Sequence, residues 1–234
     1  MNGTQFHFLT LFPELTDAYM STSILGRASA RGLFTSHSHS IRRFAKNSHG
    51  TVDDVAFGGG GGMVLKVDVL VDAVETLRKE FPAPQQKTIY FSPRGKKLDE
   101  PMVRELSSQP TQWLLVCGHY EGADQRFIDG WVDYEISLGD FVLTGGELPA
   151  LAFADALARQ LEGTVSHDSR AKAESFSLRS ESGKPLLEYP HYTRPRTFRG
   201  LQVPEVLLSG NHLAIEKWRK QASEEITAKL RPDL

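Results

Sequence analysis

Three short segments carry the residues best suited to chemistry. They are Tyr90-Phe91-Ser92-Pro93-Arg94-Gly95, Val116 through Gly118-His119-Tyr120-Glu121-Gly122, and Ile136-Ser137-Leu138-Gly139-Asp140, which runs on through Phe141-Val142-Leu143-Thr144-Gly145-Gly146-Glu147-Leu148-Pro149. Each is an apolar run of strand length that breaks into glycine or proline. In open α/β sheets small molecules bind where strands end in such loops, and glycine lets backbone amides and carbonyls approach the ligand. Three such loops in succession predict a ligand cleft.

The common nucleotide fingerprints are absent. No strand-like run leads into G-x-G-x-x-G, and no G-x-x-x-x-G-K-[ST] occurs, so a dinucleotide site or phosphate-cradling loop is not expected. There is no G-x-S-x-G for a serine hydrolase. His37 and His39 form an H-x-H with His49 beyond, but without partners at a metal-binding spacing. The single cysteine, Cys117, lies in the apolar run Trp113-Leu114-Leu115-Val116 and reads as a buried small hydrophobe. A glycine run, Gly58 to Gly62, follows Asp53 and Asp54 and reads as a loop that folds over a ligand or RNA, or else as a plain surface loop.

The elements that must hold these loops alternate. Residues 6–12, 40–45, 87–92, 112–117 and 134–137 read as strands. One or two short helices are expected in 15–32 and further helices in 67–81, 121–131 and 149–161; in the second of these ranges Leu70, Val74, Leu77 and Phe81 mark one helical face. This alternation predicts a mostly parallel sheet with helices on both faces. Residues 164–190 are rich in Ser, Lys, Glu and Gly and read as a linker or lid. The tail reads as two helices, 213–222 after Ser209-Gly210-Asn211 and 224–230 with Ser223 as N-cap.

The chain has 234 residues and a net charge of −2. That excludes a general nucleic-acid coating protein but not specific RNA contacts through local patches. Basic groups cluster at Arg27 and Arg31, at Arg42, Arg43 and Lys46, at Arg94, Lys96 and Lys97, at Arg194, Arg196 and Arg199, and at Lys217, Arg219 and Lys220. No apolar run reaches the ~18 residues of a membrane span. The first five residues do not open a signal peptide, and one cysteine fits a reducing, cytoplasmic setting.

Taken together, several motifs carry a resemblance. Leu11-Phe12-Pro13-Glu14, Thr51-Val52-Asp53-Asp54, the glycine run with Met63, Gly118-His119-Tyr120-Glu121-Gly122, the stretch from Gly139-Asp140 to Pro149, Pro190-His191-Tyr192-Thr193-Arg194-Pro195 and Val206-Leu207-Leu208-Ser209-Gly210-Asn211-His212 occur in one order. In these the chain resembles the bacterial tRNA (guanine-N1)-methyltransferases of the TrmD family, in the SPOUT class. The resemblance implies an α/β trefoil-knot domain over residues 1–163, a linker or active-site lid over 164–190, and a small helical tRNA-binding domain over 191–234. It implies a homodimer that transfers a methyl group from S-adenosylmethionine to N1 of guanine 37, 3′ of the anticodon.

The same resemblance places the cofactor among Tyr90, Phe91, Ser92, Pro93, Gly118, Tyr120, Glu121, Gly122, Ser137, Leu138, Gly139, Asp140, Phe141, Val142, Leu143, Gly145, Gly146 and Pro149. It makes Glu174 the general base, with Asp168 as alternative, and Arg159 the group that stabilises charge on guanine O6. It turns Arg27, Arg43, Asp54, Gly59, His191, Arg194, Asn211 and Arg219 toward the RNA, and it implies an assisting divalent cation, magnesium, whose ligands no motif names. Three positions depart from the family pattern: Glu174 stands where aspartate is usual, Gly61 where proline is usual and His119 where arginine is common. Two other readings remain, a knotted methyltransferase for ribosomal RNA and a dimeric binding protein with weak or lost catalysis.

Overall fold

The computed structural model describes residues 3–165 and 174–234. The chain divides into two compact units, Met1–Val165 and Ser166–Leu234. In the first unit, five strands form one sheet: β1 (Thr4–Thr10), β2 (Phe34–Ser40), β3 (Gln86–Lys97), β4 (Gln112–Val116) and β5 (Tyr134–Ser137). Their order is β2-β1-β4-β3-β5, and every neighbouring pair is parallel.

The sheet is covered on both faces, which is why its central strands read as unbroken apolar runs. Period-two alternation splits each strand between two cores. Trp113 and Leu115 pack with Phe6, Phe8 and Ile89 against α1 (Pro13–Met20), α2 (Ser23–Ala30), α4 (Glu100–Ser107) and α6 (Glu147–Gln160). Leu114 and Val116 pack with Leu9 and Tyr90 against α3 (Val67–Glu80) and α5 (Gln125–Trp131). On α3, Leu70, Val74 and Leu77 are fully buried, as the helical spacing requires.

Several boundaries differ from the sequence expectation. Residues 40–45 are not a strand: Ile41–Phe44 is a 3-10 turn, and the edge strand β2 precedes it, unseen because Phe34 is its only buried member. α5 starts at Gln125 rather than 121, because the Asp124 side chain accepts the Arg126 amide at 2.9 Å and starts the helix there. α4 is likewise capped by Asp99, which accepts from Met102 N at 2.9 Å. β3 does not stop at Ser92. Its pairing with β5 breaks after Phe91 and resumes at Lys96, so residues 92–95 bulge out of a continuing strand. Pro93 has no N–H to give a ladder, which suits it to a bulge.

Asp53–Val55 and Met63–Leu65 pair antiparallel, and the glycine run is the exposed tip between them. In the second unit the tail is one helix, His212–Leu230, not two. Asn211 caps it by accepting the Ala214 amide at 3.2 Å. Ser223 is no cap: it sits 1 % exposed inside the helix, which continues through it to Leu230. The described part of the expected linker, 174–190, belongs to this second unit. Leu186 is buried, and the Leu187 amide donates to Thr227 Oγ1 at 2.8 Å.

Candidate active site

The three segments converge on one side of the sheet, at the bulge in β3 and at the carboxyl ends of β4 and β5, which are its neighbours in the sheet. Between them lies a cleft of about 510 Å³, within the range of small-molecule sites. All the residues assigned to the cofactor line it except Asp140, which is an exposed turn residue. Arg94, His119, Ala123, Gln125, Ile128, Ile136 and Thr144 also line it. Gln125 and Ile128 come from the first turn of α5, which the sequence reading started too early. Asp124 as N-cap was the signal that would have placed that turn.

Close packing explains the glycines. A Cβ on Gly118 would come 2.6 Å from Tyr90 Oη, and one on Gly146 would come 2.5 Å from Gly118 N. Gly146 N donates to Gly118 O at 2.8 Å, so the turn after β4 and the turn before α6 are bonded backbone to backbone. Tyr90 is 3 % exposed, and burial raises its phenol pKa above the ordinary value while the Ala123 backbone pulls it the other way. Tyr120 adopts φ 61, a left-handed conformation costly for a side-chain-bearing residue. Such strain collects at ligand sites.

At the bulge, Ser92 Oγ donates to Glu135 Oε1 at 2.5 Å, and Arg94 reaches the same carboxylate oxygen at 3.3 Å and Gln125 at 3.2 Å. Below the opposite wall, Glu147 lies 5 % exposed against Thr10 and His119. Burial beside Glu147 keeps the Cys117 thiol protonated, with its pKa well above the usual value. The cleft thus offers apolar walls (Ile128, Ile136, Leu138, Leu143), backbone groups bared by glycine, and a polar rim.

The remaining assigned residues lie elsewhere. Arg159 is exposed in the last turn of α6. Glu174 is half-buried in the second unit, where its amide and carbonyl close a turn with Ser177. Asp168 lies outside the described residues. Arg27 is exposed at the end of α2, and Asp54 and Gly59 are exposed on the antiparallel hairpin and its tip. Arg43 is exposed but engaged with Glu80 at 2.6 Å. In the second unit His191 pairs with Glu188 at 2.9 Å, Arg194 is exposed, Asn211 uses its side chain as a cap, and Arg219 lies 4.8 Å over the Tyr189 ring. Among the described residues no group of three His, Cys, Asp or Glu side chains is placed to hold a metal ion, and no helix is long and apolar enough to cross a membrane.

Known proteins resemble this chain along nearly its whole length. A family model described as "tRNA (Guanine-1)-methyltransferase TrmD" matches residues 4–234. The tRNA (guanine-N(1)-)-methyltransferase of Clostridioides difficile is 45 % identical over 230 residues, 98 % of this chain and 96 % of that protein. That of Alkaliphilus oremlandii is 48 % identical over 230 residues, 97 % of this chain and 90 % of the other. The crystal structure of tRNA (m1G37) methyltransferase from Aquifex aeolicus superposes with a TM-score of 0.78 at 39 % identity, over 100 % of this chain and 95 % of that one. The chain belongs to the tRNA (guanine-1)-methyltransferase TrmD family.

Proposed function

We propose that this protein methylates N1 of guanine 37 in tRNA, 3′ of the anticodon, with S-adenosylmethionine as donor. The observation that carries the reading is the cleft: the bulge in β3 and the glycine-bearing turns that follow β4 and β5 line one pocket on three adjacent parallel strands, in a chain of this family. Its size, its apolar walls and its bare backbone fit a nucleoside joined to an amino acid. S-adenosylmethionine supplies an electrophilic methyl carbon there.

The rest of the chemistry falls to side chains. Guanine N1 holds a proton at neutral pH and is a poor nucleophile, so a base must take that proton as N1 bonds to carbon. We assign this to Glu174. Negative charge then builds on O6, and a cation facing it lowers the barrier; we assign this to Arg159. The target base must leave its stack to present its Watson–Crick edge. Arg27, Arg43, Asp54, Gly59, His191, Arg194, Asn211 and Arg219 would hold the anticodon arm, its cations through phosphates. The magnesium ion implied by the resemblance meets no donor set among the described residues, and no step of the proposed chemistry runs through it.

The knotted path of the chain, the division into a catalytic unit, a lid and an RNA-holding tail, the homodimer and the cytoplasmic setting are part of the same proposal. Exposed apolar side chains support the dimer: Phe12, Leu15 and Tyr19 around α1, and Phe141, Val142 and Leu148 leading into α6. The two helices are neighbours, since Tyr19 Oη donates to Asp155 at 2.7 Å.

The deciding experiment supplies labelled S-adenosylmethionine and two anticodon-arm RNAs, one with guanine and one with adenine at the target. Label in the guanine RNA alone supports the proposal. Cofactor binding without transfer to either RNA would overturn it in favour of a binding protein.

A further inference from the structure

We infer that Glu147 is a positioning residue for the cofactor: its buried carboxylate clasps His119, and the pair fixes the glycine turns that form the cleft. The inference rests on the reading that the cleft takes S-adenosylmethionine.

Glu147 is the first residue of α6 and is 5 % exposed. Thr10, fully buried at the end of β1, donates its hydroxyl to Oε1 at 2.6 Å. His119 Nε2 lies 2.9 Å from Oε1 and 2.8 Å from Oε2. Facing a carboxylate, that nitrogen is the donor, which assigns the imidazole its Nε2–H form. One side chain thus joins the end of β1, the turn after β4 and the start of α6.

The pair is also the floor of the turn at 144–146. A Cβ on Gly145 would lie 2.4 Å from His119 Cε1 and 2.7 Å from Glu147 Oε2, so the backbone of that turn rests directly on the two side chains. The next residue bonds across: Gly146 N donates to Gly118 O at 2.8 Å. His119 itself lines the cleft, and the Phe12 ring stands edge-on to its imidazole at 5.3 Å. His119 is therefore wedged between two cofactor-facing turns and held by Glu147.

A buried carboxylate is an expensive way to fill space. Desolvation costs several kcal/mol unless donors compensate, and an apolar residue of similar volume would avoid that cost. Here the donors are Thr10, His119 and the N-terminal end of a 14-residue helix, whose dipole favours negative charge. What the carboxylate adds over an apolar residue is direction: it aims the imidazole and, through it, the backbone groups of Gly145 and Gly118.

The test uses the full-length protein and S-adenosylmethionine as the titrant in calorimetry, with turnover measured in parallel. Glu147→Gln keeps the volume and the contact with Thr10 but loses the second acceptor oxygen. It is expected to weaken cofactor binding about tenfold or more, while kcat at saturating cofactor changes far less. His119→Gln should show the same split, and the double variant should lose no more than Glu147→Gln alone, because the two side chains act as one unit. His119→Arg should retain affinity beside Glu147 and lose it beside Gln. If Glu147→Gln does not fold, His119→Gln carries the expectation by itself. Unchanged cofactor affinity in the single variants, or losses that simply add, would overturn the inference while leaving the cleft reading intact. A wild-type protein that binds no S-adenosylmethionine would overturn both.

Discussion

The Tyr90 phenol sits directly under Gly118, so close that a single methyl group on that glycine would lie 2.6 Å from the phenol oxygen. A strand residue buried at 3 % exposure therefore sets the height of a cleft-lining turn one strand away. Gly118→Ala should force the turn outward. The expected result is loss of cofactor binding by about tenfold or more, with a destabilisation of about 1–3 kcal/mol from overpacking. Calorimetric titration and thermal denaturation check the two parts separately, and Gly118→Ala with wild-type affinity would show that the turn has room to yield.

The proton transfer assigned to Glu174 gives a kinetic prediction. Glu174→Gln should lower kcat by about 10²–10⁴-fold while leaving S-adenosylmethionine affinity nearly unchanged. Arg159→Ala should lower kcat by a comparable factor of about 10²–10³. Single-turnover assays on the guanine anticodon arm measure both. Wild-type turnover in Glu174→Gln would return attention to Asp168.

Acid stability should be set by side chains that do not line the cleft, at a histidine stack on β1 and β2. His7, fully buried, lies with its Nδ1 3.0 Å from His39 Nε2; His37 stacks on the His7 ring, and Phe81 stacks on His37. Burial first, then the neighbouring His39 and His37, lowers the pKa of His7 to about 3. Burial, His37 and Arg43 lower that of His39 to about 4 against the opposing pull of Glu80 and Asp17. In the unfolded chain both would titrate near ~6.5. Below that pH the unfolded state takes up protons that the folded state refuses, so stability is full above about pH 6.5 and falls progressively toward pH 4. Urea midpoints measured between pH 7.5 and 4.5 should show this decline, and His39→Gln should flatten it. An equal slope in that variant would locate the acid sensitivity elsewhere.

In the second unit, the Thr227 hydroxyl donates to Ser223 O at 2.6 Å and accepts the Leu187 amide at 2.8 Å. Thr227→Val should leave that amide without its partner and cost about 1–3 kcal/mol. Ser223→Ala, by contrast, removes a buried hydroxyl that has no partner among the side-chain contacts and should be neutral or mildly stabilising. Thermal melts of the two variants should move in opposite directions or differ clearly in size.

Some of this was legible in the residues alone. The apolar runs at 87–92 and 112–117 and the helical face of Leu70, Val74 and Leu77 carried the strand and helix alternation, because burial on one face or two leaves a period in the sequence. The glycines at 118, 122, 145 and 146 marked the loops, because a turn pressed against a neighbour tolerates no Cβ. The boundaries that went wrong were those decided by a single side chain or by distant packing. Asp124 starts α5 later than expected, and the helix runs on through Ser223, which lies buried inside it where a cap was expected.

What no local pattern carried was proximity. Thr10, His119 and Glu147 are scattered along the chain, and each alone is an ordinary residue of a strand end, a turn and a helix start. Only the side-by-side order of β1, β4, β3 and β5 brings them and the three glycine turns to one place, because that order is fixed by the joint burial of both sheet faces. Residue types thus determined what chemistry was possible, and the tertiary packing decided which groups stand close enough to perform it.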